Sequence, residues 1–283
     1  MYNKIALFLI MPLAITGCAT TSKIHPDFAK RHEHMQNIAL LPSNIEVYEV
    51  TFNAGNKPLS ELQEYVDAKS SASAAETFEE KGYQITKVKQ SDIDNDPKIK
   101  EAWFNIQTLY KQALQDIAKN KKPNFTYEVG SGPNVFADKY QAHAIILMRQ
   151  TGTKLSQGVI NAQLVQNMAS IATTLLVGVP AGGGVQPWWT LTTEIAVVDA
   201  ESGDILWYNL GLTTDDYTDK KKEQLIPKHV KDVLKMFPDS KFKKPEPPQS
   251  KKDKEAVLVK PEGSNFGPVA AAASAVPRPG GTS

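Results

Sequence analysis

Cys18 is the single thiol of the chain and the side chain with the clearest chemistry open to it. A thiolate is a nucleophile, and its setting decides what it reacts with. Lys4 precedes an apolar run from Ile5 to Ile15, broken only by Pro12, and the run closes on Gly17-Cys18. Charge, hydrophobic core and then a small residue is the order of a secretory signal peptide, and the run is too short to cross a bilayer. The other reactive candidates are poorer. His25, His32 and His34 are close in sequence, but no cysteine or paired carboxylate completes a metal site, and no metal is expected. Gly130-Ser131-Gly132-Pro133 lacks the strand-to-helix setting and the Lys-Ser/Thr of a phosphate loop. His143 has no Ser or Cys partner and is expected to be a hydrogen-bonded core histidine. Ser240-Lys241-Phe242-Lys243 spells Ser-x-x-Lys where nothing is expected to position it, and no Gly-x-Ser-x-Gly or His-Glu-x-x-His occurs. No catalytic residue and no cofactor site is expected, so the chain reads as a non-enzyme.

Ile15-Thr16-Gly17-Cys18 resembles the lipobox of bacterial lipoproteins. The resemblance implies that residues 1–17 are removed and that Cys18, acylated, becomes the mature amino terminus. Several acyl chains hold a protein stably where one is marginal, at about 0.8 kcal/mol per buried methylene. Ala19 stands where lipoproteins kept at the inner membrane often carry Asp, which implies the periplasmic face of the outer membrane. With its one cysteine acylated the mature chain has no disulfide. The charge of the whole sequence is balanced, 32 basic against 31 acidic residues, and the chain lacks the basic stripe that nucleic acid would demand.

Residues 18–36 are polar and read as a lipidated tether. Residues 37–238 read as an α/β domain. Asn37 to Pro42 is a short apolar strand stopped by proline, and Ile45 to Phe52 alternates as a second. A turn at 53–56 leads to a helix from about Pro58 to Lys81, closed by Gly82, with Leu59, Leu62, Val66, Ser73 and Phe78 inward. Tyr83 to Val88 is the next strand and Ser91 to Asp96 a polar loop. Ile99, Trp103, Ile106, Tyr110, Ala113, Leu114 and Ile117 have helical spacing. Lys119 to Asn134 reads as a loop, and Tyr140 to Met148 as a central strand buried on both faces. Leu191, Thr193, Ile195 and Val197 alternate with Thr190, Thr192, Glu194 and Ala196. The stretch Asp199-Ala200-Glu201-Ser202-Gly203-Asp204 turns the chain back into Ile205-Leu206-Trp207-Tyr208. A last helix spans about Pro227 to Phe237. From Asp239 to Ser283 the chain is Lys-, Pro- and Ala-rich and cannot bury enough surface to offset its ordering entropy, so it reads as a disordered tail.

Between Lys154 and Glu194 there is no charged residue and no histidine. In a chain that is 22% charged such a gap is not noise. Gly158 to Val177 reads as a helix with a narrow polar stripe of Gln163, Gln166, Asn167, Ser170 and Thr174 beside Ile171, followed by a glycine turn and Trp188-Trp189. As a membrane span it is too polar and is cut by Pro180. Three readings compete: a partner or self-association surface, a buried core helix, and contact with a lipid leaflet, where Trp is favoured. The first places the interaction surface on Gln163, Gln166, Asn167, Ser170, Ile171, Trp188 and Trp189.

Val197-Val198-Asp199-Ala200-Glu201-Ser202-Gly203-Asp204-Ile205-Leu206-Trp207 resembles the V-x-D-A-x-T-G-x-x-L-W hairpin of periplasmic lipoproteins related to CsgG, LpoB and the TolB amino-terminal domain. Tyr140 to Leu147 is similar to that group's Y-x-A-D-A-V-L strand, and Asn37 to Pro42 to its opening I-A-V-L-P. His143 replaces the usual Asp, and Ser202 the usual Thr. The resemblance implies an α/β fold, a small mixed sheet packed by helices, that binds other envelope proteins, often as a homo-oligomer, with no catalytic residues. The expected role is therefore a non-catalytic assembly or adaptor module of a cell-envelope complex, anchored in the membrane by lipid. A ring-forming subunit of a secretion channel or appendage base, and an envelope-polymer hydrolase, are the alternatives.

Overall fold

Ala144-Ile145-Ile146-Leu147-Met148 is apolar at every position, so a strand built from it must be covered on both faces. In the computed structural model, which describes residues 21–51, 55–119, 125–162, 188–218 and 223–242, this stretch opens β6 (Ala144–Leu155). β6 pairs antiparallel with β7 (Trp189–Asp199), β7 with β8 (Ile205–Thr213), and β8 with β1 (Thr21–Ile24). On its other side the first part of β6 runs parallel with β2 (Asn37–Leu40) and the rest parallel with β3 (Asn44–Val50). Pro42, which has no N–H to give a ladder, lies at the step between β2 and β3. The short β4 (Asn56–Pro58) borders β3, and β5 (Gln84–Lys87) runs parallel beside β2. The expected fold class, a mixed sheet packed by helices, is what forms.

The period of two sorts side chains between two cores. Ala39, Ile145, Leu147, Ala196 and Val198 pack with the buried stripe of α4 (Pro97–Ala118), including Ile99, Ile106, Tyr110 and Leu114. Asp96 caps that helix, accepting from the N–H groups of Lys98 and Ile99 at 3.1 and 3.3 Å. On the other face Ile38, Ile146, Met148, Ile195 and Val197 pack with Phe78 of α2 (Ser60–Glu80) and with Val230, Val233 and Leu234 of α6 (Leu225–Leu234). The small buried residues Ser70, Ser73, Ala74 and Ala75 let the two helices approach, and the Ser73 hydroxyl donates to the Pro227 carbonyl at 3.0 Å. A bulge sets Val197 opposite Trp207 but Val198 opposite Ile205, so Leu206 and Trp207 both join this second core.

Four expectations are corrected. Residues 21–35, read as tether, fold: they form β1 and α1 (Phe28–His32), and Phe28, His32 and Met35 are buried. Phe28 and His32, spaced i and i+4, share one face of α1, and Met35 is buried just beyond its end. The expected loop 91–96 is mostly α3 (Gln90–Asp94), held by buried Ile93. Residues 133–140 form α5 (Pro133–Tyr140), so Tyr140 belongs to a helix; Gln141, at φ 52°, ends it and β6 starts at Ala144. Asp239 and Ser240 are docked rather than tail. The Ser240 N–H donates to the Lys81 carbonyl at 2.8 Å, and Asp239 lies 3.7 Å from the Lys81 ammonium. Lys241 pairs with Glu33, and from residue 243 onward the tail lies outside the described residues.

The expected hairpin turn forms at 199–204. Asp199 accepts from the N–H groups of Glu201 and Ser202 at 3.1 and 2.8 Å, and Gly203 sits at φ 77°. The turn is clasped from outside: the N–H of Val129 donates to the Gly203 carbonyl at 2.9 Å, and Arg31 reaches Asp204 at 2.6 Å and Ser202 at 2.7 Å. Burial pushes the Asp204 carboxyl up, but the Ser202 hydroxyl and then Arg31 outweigh it and hold it below the usual range. A Cβ at position 203 would overlap the Gly130 carbonyl. Gly203→Ala is therefore expected to cost roughly 1–3 kcal/mol, since left-handed strain and the clash add. Urea titration checks this, and a neutral result would mean that the turn relaxes freely.

Candidate interaction surface

The two strands that flank the uncharged segment carry Lys154 and Trp189, which are register partners on one face of the sheet. The Lys154 ammonium stands 5.2 Å from the centre of the Trp189 ring and 3.7 Å from the Glu49 carboxylate. Tyr217 meets Trp189 edge-on at 5.7 Å and donates its hydroxyl to the Thr190 carbonyl at 3.1 Å. Gly152 makes room for it, because a Cβ there would lie 2.5 Å from the Tyr217 oxygen. The Leu59 N–H, donating to the Val47 carbonyl at 2.9 Å, brings the start of α2 to the same end of the sheet. Leu59, Leu62 and Tyr65 then pack partly buried with Trp189. Between them lies a groove of about 640 Å³ lined by Leu59, Leu62, Tyr65, Lys154, Trp189 and Thr218. Trp188 stands beside Trp189, 53% exposed, and its carbonyl accepts from the Leu155 N–H at 2.9 Å.

The two tryptophans expected to act together thus differ: Trp189 is a half-buried wall and Trp188 faces outward. Gln163, Gln166, Asn167, Ser170 and Ile171 lie outside the described residues, as does Cys18; residues 157–162, just before them, are helical. Leu59, Leu62, Tyr65 and Lys154 complete the groove. Sequence reading assigned the two leucines to the core and passed over the other pair, because their meeting depends on pairings far apart in the chain.

A second polar cluster lies on the opposite face. Arg149 and Glu194 are cross-strand partners, with Arg149 donating to Glu194 at 3.4 Å and the Tyr208 hydroxyl donating to its other oxygen at 3.1 Å. Burial pushes the Glu194 carboxyl up, against the pull of Arg149 and Tyr208. A raised buried carboxyl is also what a general acid needs. Here, however, each oxygen already accepts from a neighbour, an arrangement that ties β6, β7 and β8 together beneath α4.

The remaining candidates resolve into structure. His143 is exposed rather than in the core: it sits just before β6, and its Nδ1 accepts from the Asn37 N–H at 3.1 Å. His25 accepts from the Asp27 N–H at 3.1 Å, and His32 hydrogen-bonds the Tyr83 hydroxyl. Among the described residues no group of His, Cys, Asp and Glu could hold a metal ion. Gly130-Ser131-Gly132-Pro133 does lead into a helix, α5, but Gly132 serves close packing, since a Cβ would lie 2.7 Å from Ile106. Ser240 is buried, and its Oγ accepts from the Phe242 N–H at 3.2 Å.

Among the described residues no helix is long and apolar enough to cross a membrane. No family model matches the chain, and no curated protein is similar to it. Among solved structures it is similar to two crystal forms of the PelC dodecamer from Paraburkholderia phytofirmans, at 8% and 7% identity and a TM-score of 0.35 for each. These matches cover 77% of this chain and 96% and 95% of the others. Lipoprotein GNA1162 from Neisseria meningitidis is 11% identical at a TM-score of 0.30, covering 71% of this chain and 98% of that one. At such values neither likeness bears on what this chain does. The resemblance to the CsgG, LpoB and TolB amino-terminal-domain group rests on the three stretches of sequence that carry it.

Proposed function

We propose that the chain is a lipid-anchored, non-catalytic assembly or adaptor module of a cell-envelope complex, held at the periplasmic face of the outer membrane. One observation carries the reading: Thr21, three residues past Cys18, is already paired with Leu210 of β8. An acyl group on Cys18 would therefore be coupled to a rigid sheet by a short link. A long tether would let the domain tumble, whereas a short one presents the same surfaces to neighbours in the membrane plane and raises their effective concentration. The uncharged segment around Ile171, with its stripe of amides and hydroxyls, is the surface offered to an envelope protein.

Two measurements test this. The intact mass of the mature chain should begin at Cys18 and include fatty acyl groups. Cross-linking in the native envelope should capture a partner that Ile171→Asp loses, with the circular dichroism and melting of the domain unchanged. An amino terminus without acylation removes the anchor. Unfolding by Ile171→Asp would place that residue in a core and remove the proposed surface.

A further inference from the structure

The register of β1 gives the domain a direction with respect to the anchor. β1 runs antiparallel to β8, with Ile24 opposite Trp207 and Thr21 opposite Leu210. Moving from Ile24 back to Thr21 therefore leads toward Thr213, which pairs with Leu191 near the start of β7. That is also the end where β6 finishes, with Lys154 opposite Trp189. Cys18 precedes Thr21 by three residues, a reach of about 10 Å. The same three-residue step separates the level of Glu194, which pairs with Leu210, from the level of Leu191. β1 thus enters the sheet from the side that carries Trp188 and Trp189. The opposite end holds the 199–204 turn with its cluster of Asp199, Asp204 and Arg31.

The chemistry of the tryptophan end suits a lipid headgroup layer. Trp188 projects outward, and the groove beside it is rimmed by Leu59, Tyr65 and Trp189. Amphipathic aromatic rings collect at the level of the headgroups, and lysine stems lie along apolar surface with their ammonium groups outward. Lys57 is exposed here, and Lys154 lies over Trp189 with its ammonium beside Glu49. Of the carboxylates at this end, Glu49 is paired with Lys154, Asp215 and Asp216 accept from the Thr213 and Thr218 hydroxyls at 3.2 and 2.6 Å, and Glu61 is exposed at the groove. A groove for a soluble ligand would account for Trp189 but would leave the outward Trp188 unused.

We propose that this end of the sheet rests on the phospholipid surface in which Cys18 is anchored, with Trp188 seated among the headgroups and the groove rim against it. The inference rests on acylation of Cys18, so the test reads both on one sample. The mature lipidated chain is reconstituted into vesicles of phosphatidylethanolamine and phosphatidylglycerol, with and without bromine on the acyl chains. Its amino terminus is checked by mass. Brominated lipid is expected to dim the indole fluorescence, and Trp188→Phe with Trp189→Phe should abolish that loss. Trp207, fully buried, and Trp103, packed on the core from α4 over the other face of the sheet, stay bright in either lipid. Trp188→Phe alone alters only an exposed ring, so it should remove part of the loss without disturbing the fold. An acylated chain whose fluorescence ignores bromine overturns the lipid contact and leaves the anchor standing. Dimming that persists in the double variant overturns it too, and an unacylated chain removes both.

Discussion

Phe237→Ala is expected to lower the unfolding free energy by about 3–5 kcal/mol, the range for deleting a fully buried aromatic ring. Phe237 lies just past α6 and is 1% exposed. Its ring centre lies 5.1 Å from those of Phe78 and Trp207, 5.6 Å from that of Tyr83, 6.0 Å from that of Phe28 and 6.1 Å from that of His32. Those rings belong to α2, β8, α1 and the approach to β5, so one side chain joins four parts of the domain. Edge-on pairs of this kind add about 0.5–1.5 kcal/mol each beyond the area they bury. The neighbours come from separate elements and cannot all close on the hole, which favours the upper half of the range. Phe237→Leu, keeping most of the volume, should cost about 1–2 kcal/mol. Urea unfolding with an unchanged m-value measures both. A loss under about 1 kcal/mol for the alanine variant would mean that the cluster collapses freely and is not the joint described.

Acidification is expected to remove about 3 kcal/mol of stability through His229 alone. The residue lies on α6 at 4% exposure, and neither ring nitrogen has a hydrogen-bond partner among the described residues. Burial lowers its pKa from 6.5 to about 4, against the weaker upward pull of Asp232 and Asp215. Between those two values the unfolded chain takes up a proton that the fold refuses. The contribution is thus intact above pH 6.5, shrinks as pH falls, and levels off near 4. The gap between 6.5 and about 4 corresponds to about 3 kcal/mol. His32, lowered by burial and then by Lys241, acts in the same direction. Glu194, raised by burial, acts in the opposite sense, since its contribution is greatest at low pH and is lost as pH rises through its elevated pKa. The comparison with His229→Leu subtracts both. The wild-type curve of stability against pH should bend downward below 6.5 relative to that of the variant, and parallel curves would show that the ring is protonated in the fold.

Much of the fold was legible because its determinants are local. The alternation Leu191, Thr193, Ile195, Val197 announces β7, and the unbroken apolar run 144–148 announces a strand covered on both sides. The stripe from Ile99 to Ile117 announces α4, whose start is sharpened by Asp96-Pro97. Gly203 marks the turn because only a residue without Cβ sits easily at φ 77°. Each of these signals needs only neighbours within a few residues. The expectation for Cys18 is of another kind, since it rests on the linear run Ile15-Thr16-Gly17-Cys18 and on no part of the fold.

The tertiary structure decided what depends on pairing across distance. Residues 21–35 are too polar to announce themselves, yet β8 gives β1 hydrogen-bond partners and the aromatic cluster covers Phe28 and His32. His143, in an apolar context, is exposed, while His229, in an ordinary amphipathic helix, is sealed in. Burial is set by what packs on a position, and a side chain does not carry that information. The groove beside Trp189 joins residues 59–65, 154, 189 and 218, brought together by the β6–β7 register and the entry of α2. The end of the sheet from which β1 enters is likewise a matter of strand direction. Composition does not relate the start of β1 to Trp189, and only the antiparallel pairing of β1 with β8 sets β1 running away from the end of the sheet that carries Trp189.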